Sequence, residues 1–264
     1  MTVRDALGAA LDALSAAGCE TPRLDAEVLV ADALGVDRGA LAADPDMAVS
    51  GSVARLIGER VRRRVAREPV AYILGRKGFR RIELLVDRRV LIPRPETELL
   101  VEVALELPAR ASVHEVGTGS GAVALALLDE RPDLVVTASD ASSPAVDVAR
   151  ANAARLALPL DVGVARGLPG GARGMVLANL PYVREDEWPS LQPEIVRYEP
   201  REALVGGVDG LDAIRELVAG SPSGTHMAVE HAPGQAEAVR ALLRESETRR
   251  DLAGRERVTL GLVG

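Results

Sequence analysis

From Glu96 to the end of the chain, short apolar runs alternate with segments of helical period, and no other feature constrains the fold as tightly. Runs at 113–116, 135–139, 160–165, 175–178 and 227–230 read as strands, with a closing strand at 257–262. Between them the spacing predicts helices over 121–130, 144–156, 209–219 and 234–245. Alternation of this kind specifies a doubly wound, mostly parallel α/β sheet with helices on both faces. The expected sheet domain spans 96–264.

Residues 1–68 follow a different grammar, helices only. Val3, Ala6, Leu7, Ala10, Leu11 and Leu14 recur at helical spacing, and Gly18 suits the stop. Thr21 is the expected cap of a second helix, with Pro22 in its first turn and Leu24, Val28, Leu29 and Leu34 as the buried stripe. A third helix is expected over 50–67. Pro69 breaks that period, and 70–74 and 82–86 read as two strands around Gly75-Arg76-Lys77-Gly78, a hairpin linker over 69–95. Aromatic residues are 2% of the chain, so the core must be built mainly from Ala, Val and Leu. Cys19 is the only cysteine, which excludes an internal disulfide and a cysteine metal site and leaves it a small buried apolar residue. No basic-then-apolar leader opens the sequence and no apolar run nears the ~20 residues of a membrane span, so the cytoplasm is the expected location.

Ligands of open parallel sheets sit beyond the carboxyl ends of the strands. Glu115-Val116-Gly117-Thr118-Gly119-Ser120-Gly121 falls there, between the first strand of the sheet and its helix. Glycines at 117, 119 and 121 allow a tight turn and close approach of backbone to ligand. Asp140, at the end of the next strand, is placed to accept both ribose hydroxyls of a nucleoside. These features alone suit a nicotinamide dinucleotide as well as S-adenosylmethionine. Glu115 favours the second, since an acid before the first glycine can receive the ammonium of a methionine moiety, whereas a pyrophosphate gains nothing from another anion.

Asn179-Leu180-Pro181-Tyr182 follows the apolar run 175–178 on the same sheet edge. An amide or exocyclic amino nitrogen is a poor nucleophile because its lone pair is delocalised. The Asn179 side-chain oxygen and the Leu180 carbonyl can each accept one of its N–H bonds, which orients the lone pair and favours the positive charge that develops on nitrogen. Pro181 stiffens the turn and Tyr182 can stack on a flat substrate group. The pair of motifs points to methyl transfer onto nitrogen, with no metal required.

With these residues in view the chain resembles the HemK/PrmC family of release-factor glutamine N5-methyltransferases over almost its whole length. The resemblance includes Pro69-Val70-Ala71-Tyr72, Leu91-Ile92-Pro93-Arg94-Pro95-Glu96-Thr97-Glu98, the glycine loop, Asp140 and the tetrapeptide. It continues through Gln192-Pro193-Glu194-Ile195-Val196-Arg197-Tyr198-Glu199-Pro200, Gly206-Gly207-x-x-Gly210-Leu211 and Gly254-Arg255-Glu256-Arg257-Val258. It implies a seven-stranded, Rossmann-like methyltransferase sheet and methylation of the glutamine amide in the Gly-Gly-Gln loop of peptide-chain release factors. By the same resemblance Gly117, Thr118, Gly119, Ser120, Gly121 and Asp140 hold S-adenosylmethionine. Asn179 touches cofactor and substrate, Asn179 to Tyr182 cradle the glutamine, and the helical domain helps dock the release factor.

The chain departs from the family pattern in two places. Leu180 replaces the first proline of the usual Asn-Pro-Pro-Tyr, and Asn-Leu-Pro-Tyr is also the tetrapeptide of RNA adenine-N6 methyltransferases. Arg166-Gly167-Leu168-Pro169-Gly170-Gly171 is short and lacks the acid expected beside an adenine, and Gly174-Met175 stands where an aromatic-Asp pair usually begins the strand. The alternatives are therefore an adenine-N6 methyltransferase and a non-catalytic paralogue that only binds.

The stretch 60–94, from Arg60 to Arg94, is basic and offers a docking face for an acidic protein or ribosomal RNA, or else a solvated surface. A net charge of −7 argues against a chain that coats nucleic acid. His114, His226 and His231 lack metal-ligand spacing. Glu230-His231 ends a strand on the ligand edge, and Trp188 lies in the loop after the tetrapeptide.

Overall fold

The computed structural model describes all 264 residues and divides them into two compact units, Met1–Gly75 with Gln192–Tyr198, and Arg76–Leu191 with Glu199–Gly264. The first unit is helical. Helix α1 (Val3–Ala16) starts at a capping box in which Thr2 and Asp5 satisfy each other's backbone N–H groups, and Gly18 follows its end at a φ of 69°. Helices α2 (Pro22–Leu34), α3 (Arg38–Ala43), α4 (Gly51–Val65) and α5 (Val70–Leu74) complete the run. Val3, Ala6, Val30, Leu41, Val49 and Ile57 form its core.

Two expectations fail inside α2. Thr21 caps no backbone N–H; its hydroxyl donates to Asp25 Oδ1 at 2.9 Å instead. Leu24 points to solvent, because the buried face is set by Ala26, Leu29 and Val30. Residues 70–74 form a helix and not a strand: the Pro69 carbonyl accepts the N–H groups of Tyr72 and Ile73, and Gly75 ends the turn in the left-handed region. A five-residue apolar run fits either period, and this one is decided by burying Tyr72 and Ile73.

Arg64 is buried in this unit and joins two carboxylates, Asp25 at 2.7 Å and Glu194 at 2.7 Å. Arg67 takes the other oxygen of Glu194 at 2.7 Å. Glu194 lies on a short helix, Pro193–Tyr198, so these ion pairs are what tie residues 192–198 to the helical bundle.

The second unit opens with a hairpin, β1 (Arg76–Phe79) and β2 (Ile82–Leu85), paired Arg76↔Leu85 to Phe79↔Ile82. The turn therefore lies at Arg80-Arg81 and not at Gly75-Arg76-Lys77-Gly78. Arg80 holds it, with a φ of 49° and its guanidinium on Glu130 at 2.6 Å. There follow α6 (Glu98–Leu105), β3 (Ser112–Val116), α7 (Ala122–Glu130), β4 (Val135–Asp140), α8 (Ser143–Leu156), β5 (Asp161–Val164) and β6 (Met175–Ala178). The Pro193–Tyr198 helix is α9. After it come α10 (Asp212–Ala219), β7 (His226–Glu230), α11 (Ala236–Arg240), β8 (Leu243–Arg250) and β9 (Glu256–Val263).

The seven strands run in the order β5-β4-β3-β6-β7-β9-β8. All neighbours from β5 to β7 are parallel, and β9 is antiparallel to both β7 and β8. Chain order reverses between β3 and β6, the crevice where such sheets take their ligands. The helix expected over 234–245 stops at Arg240, and Leu243–Arg250 is an edge strand. Its Arg- and Glu-rich sequence carries no apolar alternation; pairing with β9 decides it, with a bulge between Arg244 and Glu247. The core is Ala, Val and Leu, as the composition requires, and α7 is buried from Ala122 to Leu128.

Removing one member of a buried ion pair leaves a charge without its partner and costs about 3–5 kcal/mol. Arg64→Met should therefore destabilise the protein by about 3 kcal/mol in urea and raise amide exchange over 192–198. Unchanged exchange there would mean that Arg67 alone holds Glu194.

Candidate active site

The loop after β3 is fastened to the next strand. The N–H groups of Gly117 and Thr118 both reach the Ser139 carbonyl, at 2.9 and 3.0 Å. Asp140 Oδ2 accepts from Gly119 N at 2.9 Å and Oδ1 from Ser142 N at 2.8 Å. Gly117 has a φ of 75°, in the left-handed region that favours glycine, and the end of the Leu180 side chain packs over it. Glu115 is buried beneath the loop, where its Oε2 accepts from the Thr118 hydroxyl at 2.6 Å and from Ala124 N at 2.9 Å. Burial pushes its carboxyl up to about 7. Asn152, which the sequence did not single out, donates to the Ser120 carbonyl at 2.9 Å and brackets the backbone of Leu85.

A cavity of about 440 Å³ opens beyond β3, β4 and β6. Glu115, Gly117, Thr118, Gly119, Ser120, Asp140, Asn179, Leu180 and Pro181 all line it. Two residues of the expected set lie outside its wall. Gly121 packs against Leu125 and Ala149, and Tyr182 turns its hydroxyl to Glu230 Oε1 at 3.0 Å. Burial raises the phenol's pKa, so it stays a donor. A second concavity, about 580 Å³, lies at the opposite sheet edge beside Ser112, Met175 and His226, where strands begin and ligands are not expected.

The tetrapeptide is gripped from three sides. Asn179 Nδ2 donates to the Thr97 hydroxyl at 2.9 Å. Gln235 Nε2 donates to the Tyr182 carbonyl at 2.9 Å. Gly206 packs so tightly that a Cβ would fall 2.3 Å from the Pro181 carbonyl oxygen. Behind these contacts, buried Glu199 accepts from Ile92 N at 3.1 Å and pairs with Arg94. Glu96 faces Arg255 at 3.3 Å and Arg257 at 3.7 Å. Several of the distinctive segments thus brace one another.

Residues 5–75 match the PrmC N-terminal domain, and residues 95–195 match the Methyltransferase small domain. A release factor glutamine methyltransferase of Caulobacter vibrioides is 39% identical over 280 residues, covering 99% of this chain and 96% of that protein. One of Pseudomonas aeruginosa is 44% identical over 255 residues, covering 90% of this chain and 92% of its own. The chain belongs to the release factor glutamine methyltransferase family. Among solved structures, the hMettl16 catalytic domain in complex with an MAT2A 3′UTR hairpin shares the fold, with a TM-score of 0.54 and 14% identity over 67% of this chain and 74% of that one.

In this methyltransferase the basic stretch is largely neutralised. Arg60 pairs with Asp32, Arg63 with Glu68, Arg80 with Glu130, Arg89 with Asp87 and Arg94 with Glu199. His231 is locked in the core, Nδ1 donating to the Ala232 carbonyl and Nε2 against the Thr259 hydroxyl, both at 2.8 Å. Trp188 is half-buried under the Arg201 guanidinium, 5.8 Å from its ring centre. No helix is long and apolar enough to cross a membrane.

Gly206→Ala should displace the Pro181 carbonyl and lower turnover by roughly 10²-fold, with calorimetric S-adenosylmethionine affinity little changed; normal turnover would show the turn to be tolerant. The Glu115 carboxyl predicts a pH effect on stability. Its folded value, about 7, lies above the ordinary 4.5, so its contribution is complete below 4.5 and lost as pH rises through 7. In ligand-free protein Glu115→Gln should remove roughly 3 kcal/mol of the stability lost between about pH 5 and pH 8. Equal pH slopes for variant and wild type in denaturant titrations would count against this.

Proposed function

We propose that this chain transfers a methyl group from S-adenosylmethionine to the side-chain amide nitrogen of the glutamine in the Gly-Gly-Gln segment of peptide-chain release factors. One observation carries the reading: Asn179 commits its Nδ2 to Thr97 at 2.9 Å and so leaves Oδ1 as the acceptor in the cavity that the glycine loop also lines. The near full-length kinship with release factor glutamine methyltransferases supports the same substrate.

The residues present fit S-adenosylmethionine. The cavity has the volume of a small-molecule site. Each Asp140 oxygen accepts one backbone N–H and keeps a lone pair for a ribose hydroxyl. Glu115 spends Oε2 on the loop, and its carboxyl lies in the cavity wall, where it can receive an ammonium. When bound, this cofactor supplies an electrophilic methyl group. The chain's part is to orient the acceptor. Asn179 Oδ1 and the Leu180 carbonyl take the two amide N–H bonds, which turns the nitrogen lone pair away from its own carbonyl. The same two oxygens favour the positive charge gained on nitrogen, and one N–H proton leaves once the methyl is in place. Pro181, whose own carbonyl packs against Gly206, stiffens the turn that carries the Leu180 carbonyl.

Labelled S-adenosylmethionine offered with purified release factor or with total RNA tests the substrate. Label should enter the release factor, on glutamine, and Asn179→Ala should cut the rate by roughly 10²-fold or more. Label in RNA alone would transfer the reading to an adenine amino group, and no binding of S-adenosylmethionine by calorimetry would remove both.

A further inference from the structure

Asp140 and Glu115 provide for the ribose and the ammonium of the cofactor, but its base is still without a partner. The strand order β5-β4-β3-β6 gives the direction in which to look. A cofactor whose methyl meets Asn179 after β6 and whose ribose meets Asp140 after β4 runs across the strand ends toward β5. The end of β5 is tied to that acid, because Ala165 N donates to the Asp140 carbonyl at 2.9 Å. Ala165, Arg166 and Gly167 then enter the cavity wall.

No aromatic side chain lines the cavity, so a purine has no ring there to stack on. The loop 165–171 offers no acid either. It offers a flat cation. Arg166 Nε and Nη2 donate to the two oxygens of Glu216 on α10, at 2.7 and 2.8 Å. Two parallel bonds of this kind hold guanidinium and carboxylate in one plane. Glu216 lines the same cavity. Leu168 packs against the apolar cluster that contains Ile214 and Leu217, so the loop is fastened to α10 on both sides of Gly167. Both members of the ion pair are exposed, and an exposed pair adds little to stability. This one closes the β5 end of a ligand cavity.

We propose that Arg166, held flat by Glu216, is the surface on which the adenine of S-adenosylmethionine stacks. A guanidinium attracts a ring face through its charge and lies against it through its own delocalised plane. Glu216 acts only through Arg166, whose tilt it sets, and is a positioning residue. The inference rests on S-adenosylmethionine as the cofactor and is independent of the methyl acceptor.

Calorimetric titration with S-adenosylmethionine and with 5′-methylthioadenosine reads this contact without turnover. The second ligand keeps the base, the ribose and the sulfur but has neither the carboxylate nor the ammonium of methionine. Arg166→Ala should weaken both ligands by the same factor, about 5- to 20-fold. Arg166→Lys keeps the charge and loses the plane, so its affinities should stay within about threefold of those of Arg166→Ala. Glu216→Ala should weaken both ligands about 2- to 5-fold and add nothing to Arg166→Ala in the double variant. Wild-type affinity for both ligands in Arg166→Ala would overturn the proposal. So would a loss confined to S-adenosylmethionine, which would put the guanidinium at the methionine carboxylate, or a lysine variant that binds both ligands as the wild type does. Multiplying losses in the double variant would remove Glu216 from its role. If the wild type binds neither ligand, the cofactor reading fails and this inference with it, whereas unaltered affinities in the variants of a wild type that binds defeat this inference alone.

Discussion

The parallel pairing of β3 with β6 is the constraint on which the rest depends. Its last rung sets Val116 opposite Ala178, so the residues that follow, Gly117 and Asn179, leave the sheet side by side. At this seam the chain order reverses, and helices on opposite faces open a crevice. A one-residue change of register would move the glycine turn by about 3.3 Å along the strand and invert every side chain. The Leu180 side chain packs over Gly117, which shows how closely the two turns meet.

Buried carboxylates do the bracing. Glu115 holds the underside of the glycine turn, Glu199 clasps Ile92 and Arg94, and Glu194 joins the helical unit through Arg64 and Arg67. Acids in such places are tolerated because backbone N–H groups, hydroxyls or guanidinium groups surround them. Glu230 is the exception, with one oxygen on Tyr182 and the other unpartnered. The distinctive segments of the sequence, taken one by one, look like unrelated signatures. In the folded protein they are complementary halves: Arg94 with Glu199, Glu96 with Arg255 and Arg257, Gly206 with Pro181.

Much of the fold was legible, and the misreadings share a cause. The parallel strands are apolar runs between helices of clear period, so local pattern and tertiary role agree. Residues 70–74 and 243–250 were misread because neither carries a decisive period. The first is settled by the Pro69 carbonyl and Gly75, the second by pairing with β9. Thr21 has the right chemistry for a cap, yet its hydroxyl is taken by Asp25. Within the site, Asn152 and Gln235 left no signal, since an amide that bonds distant backbone looks like any polar residue on a helix or turn.

The sequence by itself determined the parallel strands of the sheet, the glycine turn, the acid after β4 and the tetrapeptide, because each is written in contiguous residues whose local physics is strong. Only the tertiary structure decided what each side chain does there. It turned the Tyr182 hydroxyl to Glu230 and not into the cavity, set Glu115 under the loop, and made Thr97 the receiver of Asn179. Those roles depend on hydrogen bonds between residues far apart in the chain, such as Thr97 with Asn179 and Tyr182 with Glu230. Donor and acceptor find each other only after the sheet has fixed their distance.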